Sequence, residues 1–294
     1  MSVNKSYNLL AKYYDEFQSD RYNQVLLDQI KDAIYNYLEP NEQKLKIADL
    51  GCGTGIFSLE LADMNFSVTA LDLSKQMLEI LKSKAMQLSL QAQANLKLIE
   101  ADITKYTFEE KQDVLLAMTD TLNHLEQDQL IDFFEKARQN LTSHGLLIFD
   151  LLKLEYLINK RGNNTIFVEL DEFISNGLQT NSTMAADTND EPIMSMVWEN
   201  TWLTAEQIAI SDFTFFEKII GETNGDNTKP DSSTNQSLFN SDNQNNNVFY
   251  KRSTEQVIEY FYDFDFIKKL TQSDFSLRKT FELPERKLFV LQKR

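Results

Sequence analysis

Between residues 22 and 38, apolar side chains at Val25, Leu26, Ile30, Ala33, Ile34 and Tyr37 recur at the spacing of one helix face. Pro40 closes the segment, so a helix is predicted there. The period then shortens. Residues 45–50 read as a buried strand running into glycines, 56–64 as a helix and 67–71 as a second strand, which completes one βαβ unit. Residues 74–87 predict a helix with Ser74 as its N-cap, Leu96–Glu100 and 113–118 two more strands, 127–141 a helix and 145–151 a fifth strand. Short strands alternating with helices imply a parallel sheet covered on both faces.

The rhythm changes after Leu152. Residues 165–173, 194–202 and 207–220 read as strands with no long helix between them, which predicts an antiparallel insert. Residues 221–247 are dominated by Asn, Asp, Ser, Thr and Gln, with too little apolar content to pack, and a disordered or mobile loop is expected. Beyond it, a helix is predicted over 254–262, then strands at 275–281 and 287–292 joined by a turn holding Pro284. The expected architecture is α/β: a Rossmann-like, doubly wound, mostly parallel seven-stranded sheet from residues 1–152 and 249–294, with an antiparallel β insert over 153–248.

Composition narrows the partners. The chain has 294 residues, 42% hydrophobic, enough for a sizeable core. Its formal net charge of −16 argues against general attraction to nucleic acid or to anionic membranes, which need Lys and Arg. The single cysteine, Cys52, excludes an intramolecular disulfide and a multi-cysteine zinc site, and fits a reducing cytoplasm. The first residues form no apolar signal core and no apolar run approaches the ~20 residues of a membrane span, so a soluble, unprocessed protein is expected.

The stretch IADLGCGTGI, 47–56, packs Gly51, Gly53 and Gly55 into five positions at the end of the first predicted strand. Such a turn lets backbone approach a ligand closely, or makes a tight strand-to-helix connection and nothing more. A dinucleotide fingerprint would need glycine or alanine at position 56, where Ile56 stands, and Asp49 is awkward beside a pyrophosphate. A carboxylate there suits a cationic ligand such as the ammonium or sulfonium of S-adenosylmethionine. Asp72, at the end of the second strand, can accept both ribose hydroxyls of an adenosine, or can serve as a helix N-terminal acid. Asp102, after the third strand, can accept from the adenine amine while the Ile103 amide donates to the ring; the plain alternative is a solvated loop acid. Cys52 offers its backbone amide, its thiol being read as packing. Asp120 and Asn123 follow the fourth strand, where the methionine end of the cofactor and the acceptor would meet. His124 beside them is a candidate general base, or an ordinary hydrogen-bonded histidine. Trp198, Trp202 and FTFFEKII alternate at strand spacing, as core or as an acceptor pocket.

With those residues in view, the chain resembles the class I S-adenosylmethionine-dependent methyltransferases. IADLGCGTGIFSLELA is similar to their first motif, VTALDLSKQMLEILKSKA to their second and LIEADITKY to their adenine-contact segment. MTDTLNHL resembles the C-D-S-L-N-Y-L segment of a bacterial subgroup, and YNLLAKYYDEF and ERKLFV resemble that subgroup's N-terminal and C-terminal segments. The resemblance covers residues 4 to about 152 and, more loosely, the last 45 or so. It implies cofactor contacts from Tyr14, Leu73, Met77 and Thr119 beside the residues already named, with Tyr7 and Tyr14 closing over the site; their plain alternative is packing of an N-terminal helix. His124 stands where the subgroup has Tyr, and Thr119 where it has Cys.

Methyl transfer from a sulfonium needs alignment and exclusion of water more than it needs a base. No N-P-P-Y or D-P-P-Y tetrad follows the fourth strand, which with the acidic balance favours a small molecule or a protein over nucleic acid as acceptor. No metal is called for. A nicotinamide oxidoreductase and an S-adenosylmethionine-binding regulator or scaffold without transfer are the competing readings. The insert would make a dimer surface, so a monomer or a homodimer through it is expected.

Overall fold

A computed structural model of the chain describes residues 7, 9–17, 23–38, 44–160, 162–170, 194–220, 238–240 and 248–294. In chain order these form a 3-10 turn at Leu10–Tyr13, α1 (Tyr14–Phe17), α2 (Asn23–Tyr37), β1 (Lys46–Leu50), α3 (Ile56–Asp63), β2 (Ser67–Asp72), α4 (Lys75–Ala85), α5 (Leu90–Ala94) and β3 (Leu96–Glu100). There follow β4 (Gln112–Ala117), a 3-10 turn at Thr121–His124, α6 (Gln127–Asn140), β5 (Leu141–Leu152), α7 (Leu154–Lys160), β6 (Asn164–Leu170), β7 (Met194–Leu203) and β8 (Ile208–Ile220). The chain ends with β9 (Leu238–Asn240), β10 (Val248–Tyr260), α8 (Phe264–Thr271), β11 (Phe275–Glu282) and β12 (Arg286–Lys293).

Seven strands make one sheet in the order β11-β12-β5-β4-β1-β2-β3, parallel from β5 to β3 and antiparallel at β11 and β12. Alternation along β1 explains why both faces are covered. Ile47 packs with Leu26, Ile30 and Ile34 of α2 and Leu61 of α3. Ala48 and Leu50 point the other way, into a cluster with Phe133 and Phe134 of α6 and Ile267 of α8. The strand order reverses between β2 and β4 on either side of β1, so the crevice beyond the carboxyl ends of these strands is where such sheets hold ligands.

The other sheet is antiparallel throughout, in the order β6-β7-β8-β10-β9. The helix expected over 254–262 is not formed: those residues to Tyr260 belong to β10, paired with β8 from Val248↔Ile220 to Tyr260↔Ile208. Val257 and Glu259 face the interior together, and a buried carboxylate at 259 disguises the alternation that marks a strand. The helix lies further on, at α8, where the Asp263 side chain caps the Asp265 amide. Of the polar stretch 221–247, Leu238–Asn240 is strand rather than loop, and the rest lies outside the described residues. So do residues 171–173 of the expected third insert strand. Among the described residues no helix is long and apolar enough to cross a membrane.

Candidate functional site at the strand ends

Asp49, near the end of β1, is buried and accepts a 2.6 Å hydrogen bond from the Ser58 hydroxyl of α3. Burial pushes its carboxyl up to about 6, and the Asp72 charge adds to the shift against the pull of Ser58. After β1 the Gly51 and Cys52 amides both donate to the Leu71 carbonyl, so the Cys52 amide is already engaged by β2. Burial holds the Cys52 thiol well above its usual range, which leaves it un-ionised.

The glycines divide by what lies against them. A Cβ at Gly51 would stand 2.5 Å from Thr121 Cγ2, and one at Gly55 2.0 Å from Leu81 Cδ1, so these two permit close packing of the β4 turn and of α4. Gly53, at φ +54°, has only the Tyr14 ring near its Cβ position, 3.8 Å away. Its amide donates to Asp72 Oδ2 at 2.8 Å, while Asp72 Oδ1 accepts from the Ser74 amide at 2.8 Å. Asp72 thus locks the glycine turn to the N-terminus of α4, where Ser74 caps Met77 as expected. Burial raises the Asp72 carboxyl, opposed by these amides and by His124. Leu73 beside it is about half exposed at 51%, and Met77 is buried.

Asp102 follows β3 and closes a local turn: Oδ1 accepts from the Thr104 amide and hydroxyl at 2.9 and 2.6 Å, and Oδ2 faces Lys105 Nζ at 2.6 Å. Burial would raise its carboxyl, but Lys105 and Thr104 outweigh that and hold it below the usual range. Ile103 packs half-buried against the core.

At the end of β4, Thr119 and Asp120 take left-handed backbone, φ +53° and +60°. Such strain persists only where neighbours enforce it. Asp150 of β5 does so, accepting the Thr119 and Asp120 amides at 2.9 and 2.8 Å. Arg286 Nη1 then joins Asp150 at 3.1 Å and Asp120 Oδ1 at 3.2 Å. Burial raises the Asp150 carboxyl against the Arg286 charge, and the two carboxylates keep Arg286 charged despite its own burial. Asp150 and Arg286 were missed as site residues, although an acid inside the apolar run LLIFDLL and a basic residue in ERKLFV were visible signals. Asn123 is fully buried; its Nδ2 donates to the Tyr260 carbonyl at 2.8 Å and its Oδ1 accepts from the Leu152 amide at 3.1 Å. It clasps the two sheets together.

The N-terminal segment covers this turn and ties it to the second sheet. Asp15 accepts from Thr54 Oγ1 at 2.6 Å and pairs with Lys84 at 2.5 Å. The Leu9 and Leu10 amides donate to Glu255 Oε2 at 3.1 and 2.8 Å, and Lys12 and Tyr13 reach Glu217 at 3.0 and 3.2 Å. Leu10 is buried against Met194, Met196, Phe213, Phe215 and Val257. Tyr7 stands edge-on to both Tyr14 and His124. Trp198 lies 5.2 Å from Phe213, and the Trp202 ring packs beside Leu152 and Leu157. The donor set, a buried and a half-buried carboxylate at adjacent strand ends beside open glycine backbone, fits a cationic adenosine ligand and not a pyrophosphate.

Residues 47–145 match the family described as "Methyltransferase domain". Malonyl-[acyl-carrier protein] O-methyltransferase 2 of Ilyobacter polytropus is 28% identical over 149 residues, 50% of this chain and 52% of that protein. The chain's matches to three curated relatives span 52 to 66% of those relatives' lengths. Two solved folds align over nearly the whole chain. An S-adenosylmethionine-dependent methyltransferase from Clostridium acetobutylicum has TM-score 0.63 at 19% identity, covering 97% of this chain and 96% of that one. The CcbJ methyltransferase from Streptomyces caelestis has TM-score 0.64 at 16% identity with the same coverage, 97% and 96%.

Proposed function

From a chain whose residues 47–145 form a methyltransferase domain of the class I, S-adenosylmethionine-dependent kind, we propose that the protein transfers a methyl group from S-adenosylmethionine to an acceptor held between its two sheets. The observation that carries this reading is the Asp72 carboxylate, fixed at the end of β2 by the Gly53 and Ser74 amides and set beside buried Asp49. Asp72 would take the ribose hydroxyls, Asp102 and the Ile103 amide the adenine, and Asp49 with the glycine backbone the methionine end. Thr119 and Asp120 would line the side of the acceptor. When bound, the cofactor supplies an electrophilic methyl whose bond to sulfur breaks as the acceptor bond forms, the electron pair leaving with sulfur.

The chain's own task is then alignment and exclusion of water. The Asp15 contacts to Thr54 and Lys84 hold Tyr14 over Gly53, while the Glu255 and Glu217 contacts hold the same segment on the second sheet. The acidic balance favours a small molecule or protein acceptor over nucleic acid. The bacterial relatives and the single thiol suit a bacterial cytoplasm, and the second sheet offers a surface for a homodimer as the alternative to a monomer. Incubation with methyl-tritiated S-adenosylmethionine and fractionated bacterial extract tests the reading. Labelled product together with S-adenosylhomocysteine is expected; cofactor binding with no transfer to any fraction would favour a regulator.

A further inference from the structure

Resting on the transfer reading above, we propose that Asp150 and Arg286 are positioning residues for methyl transfer: they fix the backbone of the turn after β4, on which donor and acceptor are aligned. The pairing of β4 with β5 runs as far as Ala117 and Phe149. Past it, Thr119 and Asp120 leave strand geometry for left-handed backbone. A β-branched residue such as Thr119 is an outlier there, and a turn that only joined β4 to α6 would carry glycine or asparagine. Asp150, one residue beyond Phe149 and fully buried, receives the two peptides one on each oxygen, the Thr119 amide on Oδ2 and the Asp120 amide on Oδ1. A carboxylate held this way fits one conformation of the pair and so selects it.

Arg286 holds the carboxylate itself. It enters at the start of β12, opposite Leu152, and its Nη1 donates to Asp150 Oδ1 and Oδ2 at 3.1 and 3.2 Å and to Asp120 Oδ1 at 3.2 Å. Backbone and side chain of Asp120 are thereby fixed from the same direction. Stability alone gives little reason for three charged groups here, because buried ion pairs are often replaced by apolar side chains without loss. Geometry gives a better one.

The turn so fixed touches both halves of the molecule. On the side of the glycine turn, Thr121 Cγ2 stands 2.5 Å from where a Cβ on Gly51 would lie, and Thr121 Oγ1 donates to the Met118 carbonyl at 2.8 Å. On the side of the second sheet, Asn123 Nδ2 donates to the Tyr260 carbonyl and His124 Nδ1 lies 3.1 Å from the Ile258 carbonyl of β10. A change in the peptides at 119 and 120 therefore moves the glycine turn relative to β10. A misplacement of about 1 Å between reacting groups costs on the order of a hundredfold in rate. Cofactor affinity, assigned above to Asp49, Asp72 and Asp102 on other strands, is set apart from this turn. The proposal thus separates two quantities: the rate of transfer depends on Asp150 and Arg286, and the affinity for the cofactor does not.

The test uses the full chain as wild type, Asp150→Asn, Arg286→Lys, Thr119→Gly and the double variant Asp150→Asn/Thr119→Gly. Single-turnover transfer from methyl-tritiated S-adenosylmethionine is timed with saturating amounts of the bacterial extract fraction that wild type labels. Asp150→Asn keeps the shape but offers one oxygen to two amides; its rate should fall about ten- to hundredfold, with S-adenosylhomocysteine affinity by calorimetry within about twofold of wild type. Amide hydrogen exchange at 119 and 120 should quicken about tenfold or more in that variant, while 47–56 exchanges as in wild type. Arg286→Lys keeps the charge without the guanidinium and should slow transfer about three- to tenfold. Thr119→Gly relieves the left-handed strain, so the double variant should recover the urea midpoint lost in Asp150→Asn while its transfer stays about tenfold or more below that of Thr119→Gly alone; it also carries the measurement if Asp150→Asn does not fold. A double variant as fast as Thr119→Gly, Asp150→Asn at the wild-type rate, or parallel losses of rate and S-adenosylhomocysteine affinity would overturn the proposal, leaving the pair a purely structural one. Wild type that binds S-adenosylhomocysteine and labels no fraction defeats the transfer reading as well.

Discussion

The strand ends of the seven-stranded sheet and the interior face of the five-stranded sheet both hold buried polar groups, but they acquire them differently. At the carboxyl ends of β1, β2 and β3, Asp49 and Asp72 lie within the strands and Asp102 in the turn that follows, each bonded within its own βα unit or to the adjoining turn. On the second sheet Glu259, Asn200 and Ser211 lie inside paired strands: Glu259 is placed by the pairing of β10 with β8, and Asn200 bonds Ser211 across β7 and β8 and Asn164 across β6 and β7. A donor site built from local turns can stay constant while an acceptor face built from long-range pairing varies strand by strand.

The largest predicted effect falls where the two meet. Arg286→Met leaves Asp120 and Asp150 without their buried counter-charge and should cost about 3 to 5 kcal/mol in urea unfolding. A loss under about 1 kcal/mol would make the β4 turn as local as the glycine turn. Asn123→Ala strands the Tyr260 carbonyl and the Leu152 amide and should cost about 2 to 4 kcal/mol. Calorimetry separates this clasp from a cofactor contact: S-adenosylhomocysteine affinity should hold in the folded variant.

Asp49 gives a test by pH. Its carboxyl sits at about 6 against an unfolded value near 3.8, so the native state binds the proton more tightly. Its contribution is therefore full below pH 4 and is lost as pH rises through 6, a difference of up to about 3 kcal/mol. Asp49→Asn keeps an acceptor for Ser58 and should flatten that part of the stability profile between pH 4 and 7; an unchanged slope would place Asp49 in contact with water. The smallest effect belongs to the N-terminal segment: Tyr14→Ala should weaken S-adenosylhomocysteine by about two- to tenfold, the loss of one aromatic contact over Gly53.

This contrast also explains what could be read from the chain. The helix and strand order of residues 45–152 follows periodicity and caps that are local in sequence, and Ser74 caps α4 as its position predicts. Asp72 and Asp49 stand at strand ends as their positions in the sequence predict, where an acid is conspicuous. Asn123 was placed in the right turn, yet its bonds to Leu152 and Tyr260 depend on strands far away in the chain. β10 was misread as helix because its pairing with β8 decides its conformation and Glu259 breaks its apolar alternation. The hydrogen bonds of His124 depend on Tyr7 and Ile258, which no local pattern connects.

The division between a donor site at the parallel strand ends and an acceptor face on the second sheet is tested most directly by calorimetric titration of S-adenosylhomocysteine into wild type, Asp72→Ala and Glu259→Gln. The account predicts a loss of roughly ten- to hundredfold or more for Asp72→Ala, and for Glu259→Gln an affinity within about twofold of wild type. Equal affinity for wild type and Asp72→Ala, or equal losses in both variants, would contradict it.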